Sequence, residues 1–295
     1  YGGGVNIGAA AKGAVTLQNV TITGNHANDY GGGFASAQHI YIAGKVVVTG
    51  NTAGDKNVAD NFFLGVNKVN AAFVLKGAID GSKIGVNYTD CKEITNGFAT
   101  YHKGGLEDIL EFFSADYDDC VIGIVGGEGY IGTKTEEPEG AFTEITYDKQ
   151  KHDAVLDKAD IADLLNNAYT LEVKKFADEE DEVGEVVADS LELLDAGIYK
   201  LTFTLKTGYL WASEDNRAED SITVTVKIKK AAATVSTLPT INGDIYVGQS
   251  IAEVQKQLRA GVADCGSTGE KNIPGEWVIT DAGVVQDGAT SLAYK

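Results

Sequence analysis

The feature that most constrains this fold is a repeat. Tyr1-Gly2-Gly3-Gly4-Val5 returns as Tyr30-Gly31-Gly32-Gly33-Phe34 after 29 positions, and Thr23-Gly24-Asn25 returns as Thr49-Gly50-Asn51 after 26 positions. A self-similar period of about 20–50 residues is typical of solenoids, propellers and arrays. Short runs rich in Val, Thr and Ile, which suit a pleated sheet, separate the repeats. The repeat predicts coils of a parallel β-helix. Because the first residues already lie inside a repeat, we expect a fragment of a longer protein.

Glycine and asparagine form the corners of the predicted coils. Asn25 and Asn51 occupy the same position in successive coils, where a stacked asparagine amide bonds the backbone of the next coil. Gly31, Gly32 and Gly33 are interpreted as corner residues of the same kind. Ligand binding by the asparagines is the weaker alternative, because every coil must close its corner. A phosphate loop is also disfavoured, since the glycines lack the GxGxxG spacing and a following helix.

Charge and hydropathy limit the classes of partner that the sequence predicts. The 295 residues carry a formal net charge of −19, and no segment is basic, so nucleic acid is not expected. No apolar run approaches the about 18 residues of a membrane span, so no membrane insertion is expected. The acidic run Asp178-Glu179-Glu180-Asp181-Glu182 lacks the ligand spacing of a calcium loop. The sequence therefore predicts no cofactor, and calcium stays an alternative without a specific loop.

Changes in pattern along the chain predict its domains. Strands that alternate polar and apolar residues, at 198–205 and 221–228, indicate a β-sandwich. Helical spacing predicts short helices at 106–113, at 157–165 with Asp157 as N-cap, and at 251–258 with Ser250 as N-cap. The predicted domains are repeats with a terminating unit at 1–133, a charged linker at 134–140, a sandwich at 141–231, and a second, truncated module at 232–295.

Residues 1–133 resemble a known class of protein. Gly81-Ser82-Lys83-Ile84-Gly85-Val86, then Ile94-Thr95-x-Gly97-Phe98, then Phe112-x-Ser114-x-Asp116 resemble the last coils of right-handed parallel β-helix regions in large bacterial surface proteins of the Gram-positive type. The third coil departs from the pattern, because it has neither the triple glycine nor Thr-Gly-Asn.

The following region resembles a second class. Gly197-x-Tyr199-x-x-x-Phe203-x-Leu205-x-x-Gly208-Tyr209-x-Trp211 is similar to bacterial immunoglobulin-like repeats found beside such β-helices. Residues 243–250 and 273–278 resemble the opening half of another such repeat. Trp211 is interpreted as a core residue of the sandwich rather than a platform for sugar stacking. The two resemblances imply an all-β chain, in which a parallel β-helix end precedes immunoglobulin-like modules.

The resemblance implies a non-enzymatic, adhesive protein of the extracellular cell surface, with its anchor outside this chain. Rods of repeats suit such a role, because each unit contacts only its neighbours. The expected partners are a host or environmental glycan or protein, together with neighbouring modules of the same parent chain.

Two alternatives remain. One is a polysaccharide lyase or glycosidase, since β-helices host such enzymes and glycoside hydrolysis needs two carboxylates. Asp116, Asp118 and Asp119 are clustered, but residues 1–133 contain no arginine, and the four histidines form no HxH or HExxH pattern. The other alternative is a cation-dependent component of surface assembly, which the acidic charge favours and no loop specifies.

Cysteine spacing allows one cross-link. Cys91 and Cys120 lie 29 positions apart, which is close to one coil, so stacking would bring them together. An extracellular setting permits a disulfide. Two separate thiols are the equal alternative.

Overall fold

The computed structural model describes the chain except residues 66–70, 89, 91, 189, 214–216, 218, 260, 267, 270, 272–277 and 280–295. Strands make up 45% of the chain and helices 9%, so the predicted all-β class is confirmed. The chain divides into two compact units. The first contains 1–139, 157–172 and 201–224, and the second contains 140–156, 173–200 and 225–295.

The first 139 residues hold most of the parallel strands. They form β1 (Val5–Ile7), β2 (Val15–Ile22), β3 (His26–Ala27), β4 (Phe34–Ser36), β5 (Ile40–Val48), β6 (Thr52–Ala53), β7 (Val58–Ala59), β8 (Phe62–Leu64), β9 (Phe73–Leu75), β10 (Lys83–Tyr88), β11 (Lys92–Glu93), β12 (Thr95–Asn96), α1 (Phe98–Tyr101), α2 (Asp108–Phe112), β13 (Phe113–Ala115), β14 (Cys120–Val125) and β15 (Glu128–Thr135).

The rest of the chain adds twelve strands and two helices to the described structure. They are β16 (Glu144–Thr146), β17 (His152–Asp153), α3 (Lys158–Asn167), β18 (Tyr169–Phe176), β19 (Glu185–Val187), β20 (Glu192–Leu193), β21 (Gly197–Leu205), β22 (Tyr209–Trp211), β23 (Ser221–Lys229), β24 (Thr234–Thr237), β25 (Thr240–Ile241), α4 (Ile251–Gln255), β26 (Leu258–Arg259) and β27 (Val262–Asp264).

Strands of the first unit stack in three parallel rows. One row contains β1, β4, β8, β10 and β13, and pairs Val5 with Phe34 and Phe34 with Phe62. A second contains β2, β5, β9 and β12, and pairs Ile40 with Phe73. A third pairs β3 with β6, with His26 opposite Thr52. The sequence repeat therefore corresponds to strands that stack on one another in register.

Apolar side chains align along these rows and form the core of the first unit. Phe34 and Phe62 stack with their ring centroids 4.4 Å apart, and both are buried. The parallel rows give way to the antiparallel pair β14 and β15. β15 also pairs in parallel with β22, with Thr135 opposite Trp211. The core thus continues from the parallel rows into an antiparallel sheet. The described strands do not form a closed solenoid, so the β-helix stays a prediction.

The second unit is built from shorter pairings. β16 pairs in parallel with β23, whereas β18 and β19, β17 and β20, β24 and β27, and β25 and β26 are antiparallel pairs. The strands predicted at 198–205 and 221–228 are confirmed as β21 and β23. Residues 273–277 of the second predicted module lie outside the described part of the chain.

The three predicted helices are confirmed as α2, α3 and α4, with ends that differ by a few residues. Ser250 caps α4 as expected, because its hydroxyl accepts the Glu253 N–H at 3.3 Å. Asp157 stands at the N-cap position of α3, but its left-handed backbone leaves the side chain without a capping bond.

The predicted domain limits stay predictions. β15 extends to Thr135, so the first two residues of the predicted linker belong to a strand. The first unit also contains 157–172 and 201–224, which the sequence analysis assigned to the sandwich.

Candidate functional site

The glycine corners are sites where neighbouring segments of the first unit approach each other closely. Gly31 has a positive φ of 67°, and its N–H donates to Asp60 Oδ1 at 2.9 Å. A Cβ on Gly32 would collide with the carbonyl oxygen of Thr52, and one on Gly33 would lie 2.6 Å from Asn51 Nδ2. Only glycine fits, because the neighbouring chain occupies the space of a side chain.

Asn25, Asn51, Asn61 and Asp116 form a continuous row, named here the asparagine row. The backbone N–H of Asn25 donates to Asn51 Oδ1 at 3.0 Å, and that of Asn51 donates to Asn61 Oδ1 at 2.7 Å. Asn61 donates its backbone N–H and its amide to the two carboxylate oxygens of Asp116, at 2.6 and 2.7 Å. The row satisfies polar groups that would otherwise be buried without partners.

Asn51 makes hydrogen bonds both within the row and to two backbone carbonyl groups outside it. It is 1% exposed, and its amide donates to the carbonyl oxygens of Ile22 and Thr49, both at 3.0 Å. These contacts join the strand row of β2 to the corner after β5. The side chain therefore serves the structure rather than a ligand.

The carboxylates singled out in the sequence are not gathered into one catalytic group. Both oxygens of Asp116 are held by Asn61, whereas Asp118 and Asp119 are exposed in the following turn. Burial raises the pKa of Asp116, against the lowering effect of its bonds to Asn61. Asp116 therefore ends the asparagine row.

Sequence reasoning missed a second polar group, named here the Asp60 cluster, which consists of Gly31, Asp60, Asn87 and Tyr117. Asp60 is 1% exposed. Asn87 Nδ2 donates to Asp60 Oδ2 at 2.9 Å and to the Tyr117 hydroxyl at 3.0 Å. The cluster joins β10 to two corners of the coils. No repeated motif marks it, because Asp60 and Asn87 lie outside the Tyr-Gly-Gly-Gly and Thr-Gly-Asn motifs.

Burial dominates the electrostatics of this cluster. It raises the pKa of Asp60 to about 6, with a smaller contribution from the nearby Asp116 carboxylate, although Gly31 and Asn87 stabilise the charged form. Burial and the Asp60 charge also raise the pKa of Tyr117. At neutral pH, Asp60 is mostly ionised and Tyr117 keeps its proton.

Two exposed tyrosines of the repeats, Tyr1 and Tyr30, pack on each other and on the buried Phe63. The ring centroids are 5.7 Å apart for Tyr1 and Tyr30, 4.8 Å for Tyr30 and Phe63, and 6.2 Å for Tyr1 and Phe63. Because all three rings contact one another, this group stabilises the packing of the repeats. Trp211 is fully buried and lies 5.7 Å from the Tyr169 ring, so its faces are closed to a sugar.

The predicted cross-link and the acidic run at 178–182 belong to neither the asparagine row nor the Asp60 cluster. Cys120 is half-buried at the start of β14, but Cys91 lies outside the described residues, so their disulfide stays a prediction. In the acidic loop, Asp181 accepts the backbone N–H groups of Ala177, Val183 and Gly184 at 3.0–3.2 Å. Within the described residues, no group of three or more His, Cys, Asp or Glu side chains is arranged to hold a metal ion.

Comparison with protein-family models, curated proteins and solved structures gave no match to this chain. In the described part of the chain, no helix has the length and apolar character that crossing a lipid bilayer requires.

Proposed function

We propose that this chain is a non-enzymatic structural and adhesive part of a bacterial cell-surface protein. In this proposal, residues 1–133 form the end of a right-handed parallel β-helix, and residues 141–231 and 232–295 form immunoglobulin-like modules of a stalk. The parent chain supplies the anchor and the neighbouring modules, and the partner is a glycan or protein of the host or environment.

The observation that carries this proposal is the use of polar side chains in the coils. Asn25 and Asn51 bond to each other across one repeat of 26 positions, and Asn61 and Asp116 extend the same row of hydrogen bonds. The Asn25–Asn51 contact between repeats supports an extended rod, because stacked repeats contact only their neighbours and lengthen without needing a larger core. The three asparagines and the aspartate of the asparagine row therefore make structural hydrogen bonds.

Surface exposure on the cell tests the proposal. Antibodies raised against this chain should label intact cells of the encoding bacterium, and mild protease treatment of those cells should remove the label. A cytosolic protein, probed in the same cells, controls for lysis. Label that appears only after lysis would refute the surface assignment.

The alternative of a polysaccharide-acting enzyme is tested separately. The purified chain is incubated with neutral and acidic polysaccharides, and reducing ends and unsaturated products are measured. Because both Asp116 oxygens are engaged by Asn61, we expect no product. Product formation that Asp116→Asn or Asp118→Asn abolishes would favour the enzyme.

Cation-dependent assembly is the remaining alternative. Its support is the net charge of −19, since strong acidity attracts cations. Light scattering with calcium and with chelator tests it. We expect the same particle size in both, and calcium-dependent growth that chelator reverses would favour the assembly function.

A further inference from the structure

A cavity of about 280 Å³ lies beside the Asp60 cluster. Its wall includes Asp29 before the glycine corner, the turn between β6 and β7, and Tyr117 after β13. Pockets for drug-sized ligands begin at about 300 Å³, so this cavity suits one small ring rather than a long chain. The lining residues are Asp29, Ala53, Gly54, Asp55, Lys56, Val58, Asp60 and Tyr117.

The buried wall of this cavity holds fixed polar groups. Each Asp60 oxygen accepts one hydrogen bond, from Gly31 or from Asn87, and a carboxylate oxygen has room for two. The Tyr117 hydroxyl accepts from Asn87 and retains its own proton for donation. These groups are held in place before any ligand arrives, which reduces the entropy lost on binding.

The outer wall adds charge and a small apolar surface. Asp29, Asp55 and Lys56 are exposed, and Val58 is 47% exposed. Three carboxylates face one ammonium group, so an anionic ligand is repelled. Neighbouring hydroxyl groups can donate to the carboxylates, while the C–H face of a ring packs on Val58. The cavity therefore offers acceptors for hydroxyl groups and a small apolar surface, and its net negative charge disfavours an acidic group.

We propose that this cavity binds a single sugar unit without an acidic group, either a neutral hexose or an amino sugar, at the end or along the edge of a glycan. The inference rests on the proposed adhesive function and names its ligand class and its site. Asp55 and Lys56 form the accessible rim, and Asp60 and Tyr117 form the fixed wall.

Binding to a glycan panel tests this inference. The panel contains glycans ending in neutral hexoses, amino sugars, uronic acids and sialic acids, and affinities are measured by calorimetry on the full chain. We expect binding to the neutral or amino sugars only. Asp55→Asn should weaken it at least tenfold by replacing one acceptor oxygen with an amide donor and removing the negative charge, and Tyr117→Phe should weaken it by removing a hydroxyl donor.

Asp163→Asn is the matched control, because it makes the same chemical change on an exposed residue of α3 and should leave affinity unchanged. Circular dichroism melting verifies that each variant folds. Binding only to acidic glycans, binding that neither site variant weakens, or no binding to any glycan would each overturn the site. The cell-labelling result is independent of this panel, so failure of the site and failure of the surface function are distinguishable.

Discussion

Asp60 in the coils and Asp181 in the acidic loop both accept hydrogen bonds from backbone N–H groups, yet their pKa values move in opposite directions. Burial raises the pKa of Asp60 to about 6. Three backbone N–H groups lower the pKa of Asp181. Asp60 accepts from one backbone N–H and one side-chain amide, and the loss of surrounding water outweighs both donors.

This comparison shows what each region does with acidic residues. Among the parallel strands, the Asp60 carboxylate is buried, so its charge is unfavourable. Hydrogen bonds from neighbouring segments fix its position. In the loop at 178–182, carboxylates close the turn while solvent stabilises their charge. The same residue type therefore opposes folding at neutral pH in one region and favours it in the other.

The largest effect on stability should come from a substitution that pushes apart the packed segments around Asp60. Gly32→Ala places a Cβ against the backbone of Thr52. That backbone cannot move without disturbing the pairing of β3 with β6. We expect the free energy of unfolding to fall by about 3 kcal/mol, measured by urea denaturation. Gly8→Ala is the control, because a Cβ there meets no atom within 4 Å. Equal stability of the two variants would contradict the close stacking.

The second effect is the pH dependence caused by Asp60. Its pKa is higher in the folded chain than its ordinary value of 3.8, so its contribution to stability is full below about pH 4 and is lost as pH rises through about 6. The shift corresponds to at most about 3 kcal/mol. Asp60→Asn, which mimics the protonated form, should therefore gain stability relative to wild type between pH 4 and pH 7.

Urea denaturation across that range measures this difference. The groups facing Asp60 are the Gly31 N–H, the Asn87 amide, the Tyr117 hydroxyl and the Asp116 carboxylate. Asp163→Asn in α3 provides the control and should give a constant difference from wild type. A constant difference for Asp60→Asn as well would show that burial does not set its charge.

The third effect tests the asparagine row without changing any charge. Asn51→Ala leaves the Asn25 N–H and the carbonyl oxygens of Ile22 and Thr49 without their side-chain partner. We expect a loss of about 2 kcal/mol in the free energy of unfolding, since buried polar groups without partners are costly. Asn28→Ala, at an exposed position, should change stability little. A similar loss in both variants would remove the special role of the row.

The smallest effect should have the opposite pH dependence. The pKa of Asp181 is lowered in the folded chain, so its contribution is present above pH 3.8 and is lost as pH falls through its folded pKa. Asp181→Asn should therefore be less stable than wild type at pH 7, with the difference shrinking toward pH 3. A stability difference between Asp181→Asn and wild type that grows toward low pH would contradict the opposite pH dependence of Asp181 and Asp60.

The sequence by itself determined the repetitive part of this protein. The repeats of Tyr-Gly-Gly-Gly and Thr-Gly-Asn predicted parallel strands stacked in register, with Asn25 and Asn51 at equivalent positions. Apolar spacing located α2, α3 and α4 to within a few residues. These features are recoverable because turn chemistry and side-chain periodicity are local properties, and a repeated local pattern gives the same structure each time it occurs.

Only the tertiary structure placed Asn61 and Asp116 in the asparagine row and Asp60 beneath the Gly31 corner. Asn61 follows Asn51 by ten positions and precedes Asp116 by 55, so neither partner lies at the repeat spacing. The pairing of β22 with β15 likewise joins distant segments. The environment of a carboxylate depends on the segment that packs over it. The repeat pattern does not predict which non-repeated segment packs there.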